Sequence, residues 1–417
     1  MNAANERQTE RGLKTLLKRF VFREEGKHSR TVTGSVTVNS RRIPVFINAF
    51  WTSRQRQASA LHEVSYRACF KPQLPRFFIE RLTDAGHVVY DPFSGRGTTI
   101  LEAALCGRNV IANDVNPLSA ILSKPRLTVP SVEEVRDRLA AIRFHASRTS
   151  DIPLSMFYHK RTLAEIVSLR NYLGRRARNG TEDHIDRWIR MVATNRLTGH
   201  SKGFFSVYTL PPNQAMSQSR QSRINRTLRQ QPEYRDVKAI ILKKSKQLAA
   251  DTAPELRREL AVRSRSAKFL TGDARKTARI RRGTVQLTVT SPPFLDVVQY
   301  AQDNWLRCWF NGIDAEEVGK TITMSRTVEE WCAVMQDVFH ELYRITRKNG
   351  WVAFEVGEVR NGKVRLEEHV AAMGMTAGFR CTAIMINRQQ FTKTANIWGV
   401  SNNAKGTNSN RIVLFTK

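Results

Sequence analysis

At 417 residues, 41% apolar and 25% charged, the chain has the size and composition of a globular protein able to bury one large core or two ordinary ones. Lys and Arg number 68 against 37 Asp and Glu, a formal charge of +31; self-repulsion on that scale points to a polyanionic partner, nucleic acid before all others. No run approaches the ~20 apolar residues of a membrane span. The N-terminal residues lack a signal-peptide core, and five scattered cysteines show no metal-binding spacing, so the expectation is a cytoplasmic protein with reduced thiols and no metal.

Residues 1–60 form an Arg-rich arm. Alternation in Thr31–Val38 and the run Pro44–Asn48 predict a hairpin packed on the main body, with frayed residues before it. From about residue 72, helices and strands alternate. Gln73–Asp84 carries apolar residues at helical spacing, and Val88–Tyr90 reads as a buried strand ending in a Gly-rich turn. Thr99–Cys106 reads as a helix stopped by Gly107, and Asn109–Ala112 as the next strand. Strand, turn, helix, strand is the opening of a doubly wound α/β sheet. Residues 120–265 are mostly helical in pattern, and 215–285 hold 19 Lys and Arg against 6 Asp and Glu. The α/β pattern then resumes with a strand at Val285–Thr290, a helix at Val328–Ile345, a strand at Trp351–Val356 and a helix at Glu367–Ala377. Gly378–Asn387 and Arg411–Phe415 are placed to pair antiparallel. The organisation is an arm (1–60), an α/β domain built from 61–125 and 266–417, and a basic helical insertion (126–265).

Two motifs stand out. Asp91-Pro-Phe-Ser-Gly-Arg-Gly-Thr-Thr99 joins a strand to a helix, where Gly95 and Gly97 let the backbone pass close to a ligand and the helix N-terminus offers N–H groups to an anion. It lacks the lysine of a phosphate loop. Asp114, at the tip of the next strand, sits where an acid binds ribose hydroxyls. The second motif, Thr290-Ser-Pro-Pro-Phe294, ends a strand. An exocyclic amine on a base is a poor nucleophile, since its lone pair is delocalised. Acceptors aimed at its N–H bonds, the Ser291 hydroxyl and the Pro292 carbonyl, would favour pyramidal nitrogen and stabilise developing charge. Pro293 would fix that backbone, and Phe294 would stack on a base taken out of the duplex. Within the insertion, Lys202 lies among interleaved basic and aromatic residues, and Arg220, Arg223, Arg226 and Arg229 fall three apart, a spacing that suits either phosphate contacts or a plain solvated face.

Together these motifs resemble those of the DNA amino-methyltransferases, the N4-cytosine and N6-adenine enzymes of restriction–modification and related systems, over about 62–125 and 266–417. The resemblance implies a class I methyltransferase fold, a Rossmann-like seven-stranded sheet ending in an antiparallel hairpin, with S-adenosylmethionine as cofactor and DNA as partner. Carried over residue by residue, Asp91, Phe93, Gly95, Gly97 and Thr98 match the cofactor loop, Asp114 the ribose-binding acid and Asp273 the position near the cofactor adenine. Ser291, Pro292, Pro293 and Phe294 match the catalytic motif. The run His62–Pro72, with Phe70, resembles the segment that closes over methionine. Serine before Pro-Pro favours cytosine N4 over adenine N6. The motif order resembles the arrangement in which target recognition lies between the two motifs, here in the basic insertion. A bacterial or archaeal, nucleoid-associated enzyme with a cognate restriction or defence system follows as expectation. Adenine-N6 methylation, guanine-N2 methylation of RNA and a non-catalytic DNA-binding protein of the same fold are the alternatives.

Overall fold

The structure, a computed structural model, describes residues 9–24, 27–51, 58–66, 69–209, 215–293, 300–322, 325, 327–357, 364–388 and 409–417. The arm contains helix α1 (Glu10–Arg19), a small hairpin of β1 (Val21–Glu24) and β2 (Lys27–Arg30), and strands β3 (Val32–Val38) and β4 (Arg41–Asn48). Next come α2 (Gln73–Leu82), β5 (Val88–Asp91), α3 (Thr98–Leu105), β6 (Asn109–Asp114) and α4 (Leu118–Ser123). The insertion supplies α5 (Val132–Ala141), α6 (Lys160–Arg178), α7 (His184–Arg196), α8 (Gln218–Thr227), α9 (Val237–Leu248) and α10 (Pro254–Ser266). The chain ends with β7 (Lys268–Thr271), β8 (Val285–Thr290), α11 (Tyr300–Asn311), α12 (Ala315–Thr321), α13 (Val328–Ile345), β9 (Thr346–Gly357), α14 (Leu366–Thr376), β10 (Arg380–Arg388) and β11 (Ser409–Thr416).

One nine-stranded sheet runs in the order β3-β4-β10-β11-β9-β8-β5-β6-β7. Its last seven members have the seven-stranded arrangement with an antiparallel hairpin that the resemblance implies: β9, β8, β5, β6 and β7 are parallel neighbours, and β11 lies antiparallel between β9 and β10. β6 and β7 pair side by side although the whole helical stretch separates them in sequence. The sheet is buried on both faces. On one, α2, α3 and α11 pack with insertion residues Trp188, Ile189 and Val192; on the other lie α13 and α14. All six residues of β8 are buried, so this strand can present chemistry only at its end.

The arm differs from expectation. Its hairpin does more than pack on the body: β4 pairs in parallel with β10, adding two strands to the sheet. Asn39 and Ser40 take positive φ in the two-residue turn, the conformation that matches strand twist. Of the residues before that hairpin, 9–24 and 27–30 are described, and these form α1 and the β1–β2 hairpin where fraying was expected. Leu13 and Leu17 lie one turn apart on α1, both fully buried, and Thr9 caps the helix. That i, i+4 spacing is the physical reason the segment docks.

Candidate active site

The site is built from two strand ends. β5 and β8 are adjacent and parallel, so their C-terminal turns emerge side by side, one carrying the glycines and the other Ser291. Side-chain bonds tie the two together. The Thr290 hydroxyl donates to Asp91 Oδ1 at 2.7 Å, and the Thr99 hydroxyl to the Val289 carbonyl at 3.1 Å. Both turns open into one cavity, whose walls include Tyr66, Phe70, Phe93, Gly95, Asp114 and Ser291.

The glycine turn has little freedom. Gly97 has φ +75°, and a Cβ there would stand 2.4 Å from Ser123 Cβ, so glycine alone fits where α3 begins. Gly95 has φ +49°, and its N–H donates to Asp114 Oδ2 at 2.8 Å. Asp114 Oδ1 accepts from Asn116 N at 2.9 Å. Thus the acid at the tip of β6 both faces the cavity and clamps the turn. Burial raises the Asp114 carboxyl to about 6, against two backbone donors that favour its charge. Burial likewise lifts Asp91 to about 7 against the Thr290 and Phe93 hydrogen bonds.

Ser291 has a partner that the motif did not reveal. Its hydroxyl hydrogen-bonds Glu355, an acid 5% exposed on β9, which also accepts from Asn410 Nδ2 at 2.9 Å. Burial raises the Glu355 pKa, and the Ser291 and Asn410 bonds oppose it. A signal for Glu355 was available: a carboxylate inside the apolar run Trp351–Val356 is costly unless paired, and the strand places it beside Ser291. Trp331 Nε1 donates to the Pro293 carbonyl at 3.0 Å, fixing the Ser291 turn from α13.

Most of the expected residues meet here. Asp91, Phe93, Gly95, Thr98, Asp114, Asp273, Phe70, Ser291 and Pro293 line the cavity; Gly97 and Pro292, their chain neighbours, do not. Phe294 lies outside the described residues. Asp273 reaches the cavity, but its carboxylate is paired with Arg275 at 2.6 Å. The run before the cofactor loop contributes Tyr66, Cys69 and Phe70. Trp305 and Trp309 do not line the cavity; they hydrogen-bond Ala215 O and Asp151 and pack against the insertion. Lys202, Arg220, Arg223, Arg226 and Arg229 are all exposed, away from the cavity lining, and Arg229 falls beyond the end of α8 with φ 47°.

Residues 17–120 match the family model described as DNA methylase, of the N6 and N4 type. Over these residues the chain resembles the DNA amino-methyltransferases, the family its two motifs pointed to. It is 28% identical over 83 residues to the type II methyltransferase M.MjaII of Methanocaldococcus jannaschii, which covers 20% of this chain and 15% of that protein. It is 39% identical over 66 residues to the type II methyltransferase M.MvaI of Kocuria varians, 15% of this chain and 14% of that one. The match thus spans about one seventh of each relative. Among solved structures, the rRNA methyltransferase aviRa of Streptomyces viridochromogenes aligns with a TM-score of 0.34 and 11% identity, over 85% of this chain and 89% of that one.

The family's methyl donor is S-adenosylmethionine, and the residues present fit it. The cavity combines apolar walls from Phe70, Phe93 and Val338 with the Asp114 carboxyl, a group able to accept from hydroxyls, and a cationic guanidinium, Arg96, beside the turn. Among the described residues no group of three or more His, Cys, Asp or Glu is placed to hold a metal, and no helix is long and apolar enough to cross a membrane.

Proposed function

We propose that this methyltransferase modifies DNA, transferring a methyl group to the N4 amine of a cytosine flipped into the cavity. The observation that carries the reading is the sharing of one cavity by the Gly95 turn and Ser291, with the Ser291 hydroxyl turned to Glu355. When bound, S-adenosylmethionine supplies an electrophilic methyl on a sulfonium. The chain's own residues do the rest. Asp114 accepts the ribose hydroxyls, and Phe70 and Phe93 exclude water. Because Ser291 directs its proton at Glu355, the Oγ lone pairs face the cavity as acceptors for the amine N–H. The nitrogen must shed a proton after methylation, and Ser291 Oγ offers a path to Glu355, whose raised proton affinity suits a recipient. Serine in the first position of the motif favours cytosine over adenine.

The basic insertion is the proposed DNA-reading element. Arg220, Arg223, Arg226 and Arg229 are exposed, and none is ion-paired to a described residue. Their helix is joined through Ala215 to α11, just after the catalytic turn: Ala215 N–H donates to the Asp303 carbonyl at 3.2 Å. A paired endonuclease acting at the same DNA site is the partner this reading expects, since both relatives are named type II methyltransferases.

The test is transfer of labelled methyl groups to duplex DNA, with nucleosides separated afterwards. Label in N4-methyl-2′-deoxycytidine supports the reading. Label in N6-methyl-2′-deoxyadenosine moves the target to adenine, and label accepted by tRNA alone moves it to RNA.

A further inference from the structure

Among the described residues, four arginines are nearly or fully buried with no described carboxylate paired to them: Arg96, Arg126, Arg196 and Arg307. Arg96 lines the cavity, and Arg126 donates to the Arg96 carbonyl. A guanidinium stays protonated, so burying one without an anion is costly unless its donors are used. Arg126, fully buried, spends its donors on backbone: Nε on Leu122 O at 2.9 Å, Nη1 on Leu61 O at 3.2 Å and Nη2 on the Arg96 carbonyl. Burial first, and the Arg96 charge second, pull it down to about 9. Arg96 is only partly used. Its Nε donates to Thr98 Oγ1 at 3.2 Å, and Nη1 donates to Val64 O at 2.9 Å and His62 O at 3.3 Å. Nη2 donates to no described residue, and the side chain lines the cavity.

The glycine turn cannot supply what Arg96 holds in reserve. The N–H of Gly95 is taken by Asp114 and that of Gly97 by the Ser94 carbonyl. Asp91 and Asp114 line the same cavity, but neither is ion-paired to Arg96; their oxygens accept from Thr290, Phe93, Gly95 and Asn116. Lys71, whose pKa is lowered by burial and then by the Arg96 charge, adds to the positive field there. Arg96 thus faces the cavity with no carboxylate paired to it among the described residues.

We propose that the Arg96 guanidinium binds the carboxylate at the amino-acid end of the cofactor, and that its bonds to His62 and Val64 couple that contact to the wall carrying Tyr66 and Phe70. The inference rests on the S-adenosylmethionine reading of the cavity. Charge-assisted hydrogen bonds are the strong ones, and removal of one changes affinity about 10- to 100-fold.

The test uses calorimetric binding of S-adenosylhomocysteine, which has the carboxylate, and of 5′-methylthioadenosine, which lacks the amino-acid end, to the full chain. Arg96→Met should weaken the first by about 10- to 100-fold and leave the second within about twofold. Equal losses for both ligands, or none, overturn the assignment, since equal loss is what a merely structural arginine produces. Should Arg96→Met fail to fold, the wild-type protein decides: it should bind S-adenosylhomocysteine at least about tenfold better than the same molecule lacking only its carboxyl group, and equal affinity overturns the proposal. If wild-type protein binds none of these ligands, it is the cofactor reading that fails.

Discussion

Arginines in the cleft and arginines on α8 are the same residue in opposite circumstances. Arg96 and Arg126 are buried and donate to backbone carbonyls, so they shape a wall. Arg220, Arg223 and Arg226 stand exposed on a helix whose own anchoring comes from neutral groups: Asn225 Nδ2 donates to Met156 O at 2.7 Å and Gln221 Nε2 to Tyr208 O at 3.1 Å. Where a cation is sequestered, its contacts are fixed by the fold and little affected by salt. Where it stands in water without a partner, it is available to a polyanion and any effect is screened. The net charge of the chain conflates the two; burial separates them.

The comparison yields predictions, from the largest expected effect downward. Ser291→Ala should lower methyl transfer by about 10²- to 10³-fold while S-adenosylhomocysteine affinity stays within twofold in calorimetry; unchanged turnover would remove Ser291 from the mechanism. Gly97→Val should be felt by the fold itself, because a Cβ meets Ser123 at 2.4 Å in a positive-φ turn. A loss of roughly 2–4 kcal/mol in chemical unfolding, with cofactor binding lost as well, is expected. Glu355→Gln keeps the shape beside Ser291 but removes the proton acceptor, and should cost about 10- to 100-fold in turnover, with KM for DNA unmoved. Replacing Arg220, Arg223, Arg226 and Arg229 together by Gln should flatten the plot of log DNA affinity against log salt by about 3 to 4 units of slope; the corresponding slope should be untouched by Arg96→Met.

The mildest effect concerns pH. Asp91 and Asp114 sit at about 7 and about 6, raised by burial from 3.8. As pH falls from 7.5 to 5.5 they become neutral and weaker acceptors, so cofactor affinity should drop several-fold. The ligand-free fold responds in the other direction. A carboxyl with a raised folded pKa holds its proton more tightly when folded, so its stabilising contribution is full below about 4 and is lost as pH rises through 6 and 7. Thermal unfolding against pH, with and without S-adenosylhomocysteine, separates the two trends.

Much of this was legible from residue order. Asp91–Thr99 announces its turn because only glycine tolerates the backbone it needs, and Val285–Thr290 announces a buried strand by its length and flanks. The α/β segments on either side of the insertion could be joined because periodicity resumes at Val285. Other features depend on distant partners. Nothing in the order of residues says that β4 lies against β10, since parallel pairing leaves no local mark. Glu355 became meaningful only once β9 lay beside β8. Arg96 occupies the variable place between two glycines, where its type carries no motif; its burial and its unused Nη2 identify it.

A crystal structure of the full chain with S-adenosylhomocysteine bound bears most directly on the shared cavity. The ligand is expected with its ribose on Asp114, its carboxylate on Arg96 and its sulfur facing Ser291. A ligand held elsewhere, or one whose sulfur is walled off from Ser291, would contradict the account.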